Sequence, residues 1–297
     1  PPLYSSAASD VYKRQGLAMG YFIYKRKMPA RYSSIFSPLL GSKVYEWPGK
    51  LLDAIGIIGT VFGLAVSVGL GVLQISAGLN ILWDVPLVTW VELAVIIFIT
   101  VCASVSVATG LDKGVKLLSN LNIIGSIVLL VFLFVVGPTL KIIEHLTESF
   151  GIYAASLPEM MFWVDSYDDN PGWHATWTAF YWAWTICWSP YVGMFFARIS
   201  RGRTVRQFIA GTILLPAVFD IIWFATFGRT AIDVETNDPG VLTGPVVEDG
   251  ETPQALFTLL AQYPLYFVSG AVALAVIIFY FVTSIDSAAL VLSLIHI

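Results

Sequence analysis

Six stretches of this chain each run about 20 residues or more with at most one charged side chain: Leu51–Leu79, Leu87–Thr109, Leu121–Leu140, Trp173–Ala197, Gln207–Phe227 and Pro264–Leu292. An α-helix rises about 1.5 Å per residue, so about 20 apolar residues cross the hydrocarbon of a bilayer. Lipid offers no partner to a bare peptide group, and stretches of this length satisfy their own backbone only as helices. Gly16–Tyr24 reads as the last part of a further membrane helix. The expected class is an all-α integral membrane protein with six full membrane helices plus part of another. Composition agrees: 57% of the residues are hydrophobic and 12% charged, half the charge of an ordinary soluble domain.

The two signs of charge are segregated along the chain. With Lys13 and Arg14 set aside, 14 of the 16 basic residues remain, and 12 of them fall in alternate loops: Lys25, Arg26, Lys27, Arg31, Lys43 and Lys50, then Lys113 and Lys116, then Arg198, Arg201, Arg203 and Arg206. The opposite loops hold only Lys141 and Arg229, with most of the acid, from Asp84 through Glu144, Glu148, Glu159, Asp165, Asp168 and Asp169 to Asp233, Glu235, Asp238, Glu248, Asp249 and Glu251. The positive-inside rule makes the basic loops cytoplasmic and the acidic ones external. Of the external loops, Lys141–Gly172 is expected to hold a short interfacial helix and Gly228–Thr252 to be a solvated loop. No basic run is interleaved with aromatics, which argues against nucleic acid. The opening PPLYSSAASDVYKRQ (1–15) and the end, Ser293–Ile297, match nothing around them and read as non-native, adapter- or cloning-derived segments, so 16–292 is read as the domain proper, itself a fragment.

Several features could carry chemistry. Leu51–Leu79 contains Gly56, Gly59, Gly63, Gly69 and Gly71; the Gly59–Gly63 spacing allows close helix approach, or backbone access to a cavity to which Thr60 could add a hydroxyl. In YWAWTICWSPYVGMFFARISRGR, from Tyr181 to Arg203, the aromatic positions Trp177, Tyr181, Trp184 and Trp188 are spaced 4, 3 and 4 and line one helix face. Trp173 and Trp177 fit an interfacial belt. Trp184 and Trp188 lie too deep for that, and fit either a packed core or a cage whose ring faces attract a quaternary ammonium. Pro190 lacks an N–H and predicts a kink or an unwound turn, as in the broken helices beside transporter sites. FVTSIDSAAL sets Thr283, Ser284, Asp286 and Ser287 at membrane depth. The hydroxyls suit an alkali cation, or hydrogen-bond their own helix; the carboxylate is costly there unless paired or functional. Asp220 is a second mid-span carboxylate with no assigned role. Cys102 and Cys187 read as buried free thiols. Of the histidines, His145 and His174 lie near external loops and His296 in the suspect tail; with no HExxH, P-loop or GxSxG present, the chain is not read as an enzyme.

The run WTAFYWAWTICWSPYVGMFFARISRGRTVRQF, from Trp177 to Phe208, closely resembles the signature of the betaine/choline/carnitine transporter family, and FVTSIDSA, LLSNLNIIGSIVLLVFLFVVGP and GLGVLQISAGLN resemble the same family. The likeness runs from Gly16 to about Leu292. It implies the amino-acid transporter-like inverted-repeat fold, of which residues 16–292 would be a partial transporter domain, from the end of the fourth helix to the tenth. It implies secondary import of a quaternary-ammonium osmolyte of the glycine betaine, choline or carnitine type across the bacterial inner membrane, with sodium as the coupling ion, no other cofactor, and a homotrimer as a possible assembly. Trp182, Trp184 and Trp188, with Tyr181, would bind substrate; Thr283 and Ser284 match the family's sodium-coordinating pair, and Thr60 and Tyr191 fall where a second sodium has been placed. Sodium-independent exchange, or solute sensing without transport, are the competing expectations. Two departures stand out: Thr185 where the family often has a second adjacent Trp, and Leu64 where sodium-coupled members can have a second Thr.

Overall fold

The computed structural model describes residues 13–109, 114, 116–163 and 172–295. Lys113, Asp165, Asp168, Asp169, His296 and the first twelve residues of the opening segment lie outside the described residues. Helix α1 covers 13–20 and continues as a π turn, Tyr21–Lys25. After short helical turns between Tyr32 and Tyr45 come α2, Trp47–Trp83, α3, Thr89–Thr109, α4, Lys116–Val136, and α5, Thr139–Phe162. A π turn, His174–Ala179, leads into α6, Phe180–Ile199. Then follow α7, Val205–Asn237, the short α8, Ala255–Ala261, and α9, Tyr266–Ile295. No strand occurs among the described residues.

Five of these helices, α2, α3, α4, α7 and α9, are long and apolar enough to cross a membrane. The sixth expected span exists as a helix, but its Trp and Tyr side chains, apolar in body and polar at the tip, keep α6 out of that group. Large apolar side chains such as Ile123, Ile124, Val128 and Val135 on α4 stand exposed, as on helices that face lipid rather than water.

Two expectations about the loops need correction. Residues 139–162 hold a 24-residue helix in place of a short interfacial one. It is separated from α4 at Gly137–Pro138, because a residue preceding proline is disfavoured in the helical region, and Thr139 Oγ1 closes the junction on Phe134 O at 2.7 Å. In the second loop, α7 runs ten residues past Phe227 to Asn237. There the two basic residues of the acidic side converge: Lys141 pairs with Asp233, and Arg229 lies 4.0 Å from the same carboxylate, one turn away. Glu235 then gathers the following turn, accepting from the backbone N–H of Gly240, Leu242 and Thr243 and from the Thr243 hydroxyl. Acid-rich sequence hid helix in both places.

The chain divides into two compact units, residues 1–66, 153–217 and 287–297, and residues 67–152 with 218–286. In the first, Met19, Tyr191, Met194, Ala197 and Ala288 form a buried cluster, with Tyr32, Leu64, Trp188 and Phe195 packed on it. Gly16 and Gly193 let α1 and α6 approach closely: a Cβ on Gly16 would lie 2.9 Å from Phe196 Cβ, and one on Gly193 3.1 Å from Gln15 Cβ. Asp53 on α2 holds the turn at Ser33 through its backbone N–H and hydroxyl, at 2.7 and 2.9 Å. In the second unit an aliphatic core gathers Val72 and Ile75 from α2, Val95 and Ile99 from α3, Leu133 from α4, Phe227 from α7, Phe257 from α8 and Val282 from α9.

Candidate functional site

The 4, 3, 4 spacing of α6 becomes a continuous ladder of rings. Trp177 and Tyr181 stack with centroids 5.6 Å apart and 8° between planes. Tyr181 meets Trp184 at 5.8 Å and 59°, Trp184 meets Trp188 at 5.8 Å and 72°, and Trp188 meets Tyr191 at 5.5 Å and 60°. Trp173 extends the series, 5.5 Å from Trp177. Tilted and edge-on pairs suit the ring quadrupole and contribute about 0.5–1.5 kcal/mol each beyond burial. Trp182, about 100° round the helix from Tyr181 at 3.6 residues per turn, stands off the ladder. Tyr191, expected as an ion ligand, is its innermost rung and is 3% exposed.

Helix α2 fixes this ladder from one side. A Cβ added at Gly56 would lie 3.6 Å from Pro190 Cβ, one at Gly59 would lie 3.7 Å from Cys187 Cα, and one at Gly63 only 2.9 Å from Trp188 Cδ1. The indole Nε1–H of Trp188 donates to Gly63 O at 3.1 Å. The glycines therefore serve helix packing, the first of the two uses expected for them. Thr60, 2% exposed, donates its hydroxyl to Gly56 O at 2.7 Å, and Leu64 packs on the apolar cluster around Tyr191.

The unwound turn, one of the two expectations at Pro190, does not occur, and α6 is helical through it. Proline cannot donate to the carbonyl four residues earlier. That carbonyl belongs to Ile186, and the Ser189 hydroxyl donates to it at 2.7 Å. The neighbouring side chain supplies what the proline lacks. The departures from α geometry nearest to it fall at the π turns His174–Ala179 and Ala210–Leu214.

In the second unit, α9 carries Thr283 and Ser284. Thr283 Oγ1 donates to Phe279 O and Tyr280 O at 2.9 and 3.0 Å, and Ser284 Oγ to Tyr280 O at 2.9 Å. Each hydroxyl proton thus points back along the helix. Adjacent neutral oxygens of that kind fit a hard monovalent cation. Two residues on, Asp286 is 1% exposed, and its Oδ2 accepts from Ser106 Oγ at 2.5 Å. Its Oδ1 is buried without a hydrogen-bond partner among the described residues. Ser106, on α3, is a residue that sequence reasoning missed; with 180 positions between the partners, no local pattern signals it. Asp220 lies exposed on α7. Cys102 and Cys187 are free thiols.

The model of the betaine/carnitine/choline family transporters matches residues 4–297. The chain belongs to that family. Among its relatives, the ectoine/glycine betaine/proline transporter EctP of Corynebacterium glutamicum is 60% identical over 276 residues, 93% of this chain and 45% of that protein. The glycine betaine transporter OpuD of Bacillus subtilis is 40% identical, over 96% of this chain and 55% of its own length. A glycine betaine/proline/choline transporter of Vibrio parahaemolyticus is 39% identical, over 95% and 50%. The betaine/carnitine/choline family chain described here thus spans about half the length of the curated relatives it matches.

Proposed function

We propose that this chain is part of a secondary active transporter that imports a quaternary-ammonium osmolyte of the glycine betaine, choline or carnitine type. The observation that carries the reading is the ladder of rings on α6, in a family chain whose relatives are named for betaine and choline transport. Trp184 and Trp188 receive the trimethylammonium group on their ring faces, with Tyr181 beside them and Trp182 contributing from the adjacent face. A cation without N–H groups cannot be held by hydrogen bonds, whereas desolvated ring faces attract it by about 2 kcal/mol. Thr283 and Ser284 hold a coupling sodium through their hydroxyl oxygens. When bound, sodium supplies positive charge and so ties the energy of its own gradient to the substrate-ready state. Thr60 and Tyr191 form a second, weaker cation position. The chain adopts the inverted-repeat architecture, lies in the inner membrane with its basic loops in the cytoplasm, and works by rocking one helix bundle against another.

Uptake of radiolabelled glycine betaine by cells carrying the full-length transporter tests this. Trp188→Leu should lower uptake sharply at unchanged surface level; unaltered uptake would remove the cage. One observation favours a second reading, sodium-independent exchange: Leu64 packs into the apolar cluster beside Tyr191, where a second hydroxyl would otherwise complete the Thr60 position. Uptake indifferent to replacing external sodium by potassium supports exchange and overturns symport.

A further inference from the structure

We infer that Gly63 is a positioning residue for the solute site and acts through Trp188. The inference rests on the cage reading above and adds to it the device that aims the ring. Two features of the one residue do this. Its carbonyl accepts the indole N–H of Trp188 at 3.1 Å, which fixes the indole's turn about its own axis. A helix carbonyl can take this bond because it has a second lone pair. Its missing side chain is what lets the ring lie there: a Cβ at Gly63 would meet Trp188 Cδ1 at 2.9 Å, Cys187 Cβ at 3.0 Å and the Cys187 carbonyl carbon at 3.3 Å. The backbone atom cannot yield, and Cys187 Cβ is set by the backbone, so the indole must move and its hydrogen bond must lengthen.

Gly59 provides the contrast on the same face. A Cβ there would find only Cys187 Cα at 3.7 Å and Cys187 O at 3.9 Å, ordinary van der Waals separations. The pair reads as one symmetrical GxxxG motif, but its members are unequal. Gly59 serves helix approach alone, while Gly63 also sets the orientation of a ring that Trp184 touches edge-on.

The experiment uses the full-length transporter in lipid nanodiscs, with indole ¹⁵N labelling to follow solvent exchange of the Trp188 N–H, alongside betaine uptake in cells. In the unaltered protein that proton should exchange slowly. Gly63→Ala should speed its exchange and raise the half-saturating betaine concentration about tenfold, a step of 1.4 kcal/mol, with maximal rate and surface level kept. Gly59→Ala should change neither. Gly63→Ala added to Trp188→Phe should do no further harm to half-saturation, since the two act through one bond. Fast exchange in the unaltered protein, exchange unmoved by Gly63→Ala, or additive losses in the double variant overturns the inference. Where Gly63→Ala fails to reach the membrane, Trp188→Phe alone decides: it keeps a ring and removes the donor, and an unchanged half-saturation overturns the proposal. Should Trp188→Leu leave uptake intact while the exchange results hold, the cage falls and Gly63 still positions Trp188.

Discussion

Helix α2 passes from one unit of the chain into the other between Val66 and Ser67, and its glycines are used differently on the two sides. In the first unit Gly56, Gly59 and Gly63 form a shallow face against which the body of another helix lies, touching Pro190, Cys187 and Trp188. In the second unit Gly71 and Gly78 are notches, each filled by one phenyl ring: a Cβ would come within 2.4 Å of Phe281 or of Phe257. In lipid there is little hydrophobic drive for helices to associate, so close packing and polar bonds hold them. The same small residue therefore serves two packing modes. A face tolerates small additions at some positions, and a notch tolerates none.

The sharpest break in this comparison is Gly78→Ala. Phe257 is 1% exposed and has nowhere to go, so overpacking should cost about 2–3 kcal/mol. Gly69→Ala on the same helix meets nothing within 4 Å and should be neutral or slightly stabilising, since alanine is the better helix former. Thermal unfolding of the two variants in detergent micelles checks the pair; equal midpoints would mean the notch does not exist. Next in size is Ser106→Ala, which leaves the buried Asp286 carboxyl without its one described partner. A loss of about 2 kcal/mol is expected, read in the same way and partly recovered by Ser106→Thr, which restores a hydroxyl. The smallest effect belongs to the first unit. Ser189→Ala leaves the Ile186 carbonyl bare and should cost about 1 kcal/mol, visible as faster amide exchange in the turn around Pro190 rather than as loss of the fold.

How much of this was legible beforehand follows from the range of each signal. Apolar runs announce membrane helices because about 20 residues carry the message together, and the ladder of α6 follows from ring spacing on one helix. Trp182 lies outside that spacing, and it is the family resemblance alone that groups it with Trp184 and Trp188. Helix α5 and the end of α7 were hidden because Glu144, Glu148, Asp233 and Glu235 look like loop when the eye follows hydropathy alone. Partners across the fold were out of reach. Nothing near Asp286 in the chain points to Ser106, and nothing near Trp188 points to Gly63, since such pairs exist only once two helices are laid together. At Pro190 the unwound turn failed for a different reason: its rule is sound, and the exception was written one residue earlier.

That exception makes positions 189 and 190 interdependent in the order in which they can change. Losing the proline first restores an amide to serve the Ile186 carbonyl, after which the serine is free to become alanine at little expense. Losing the serine first strands the carbonyl. Two routes to the same double variant thus differ in their halfway point, one level and one uphill, although the start and the finish are identical.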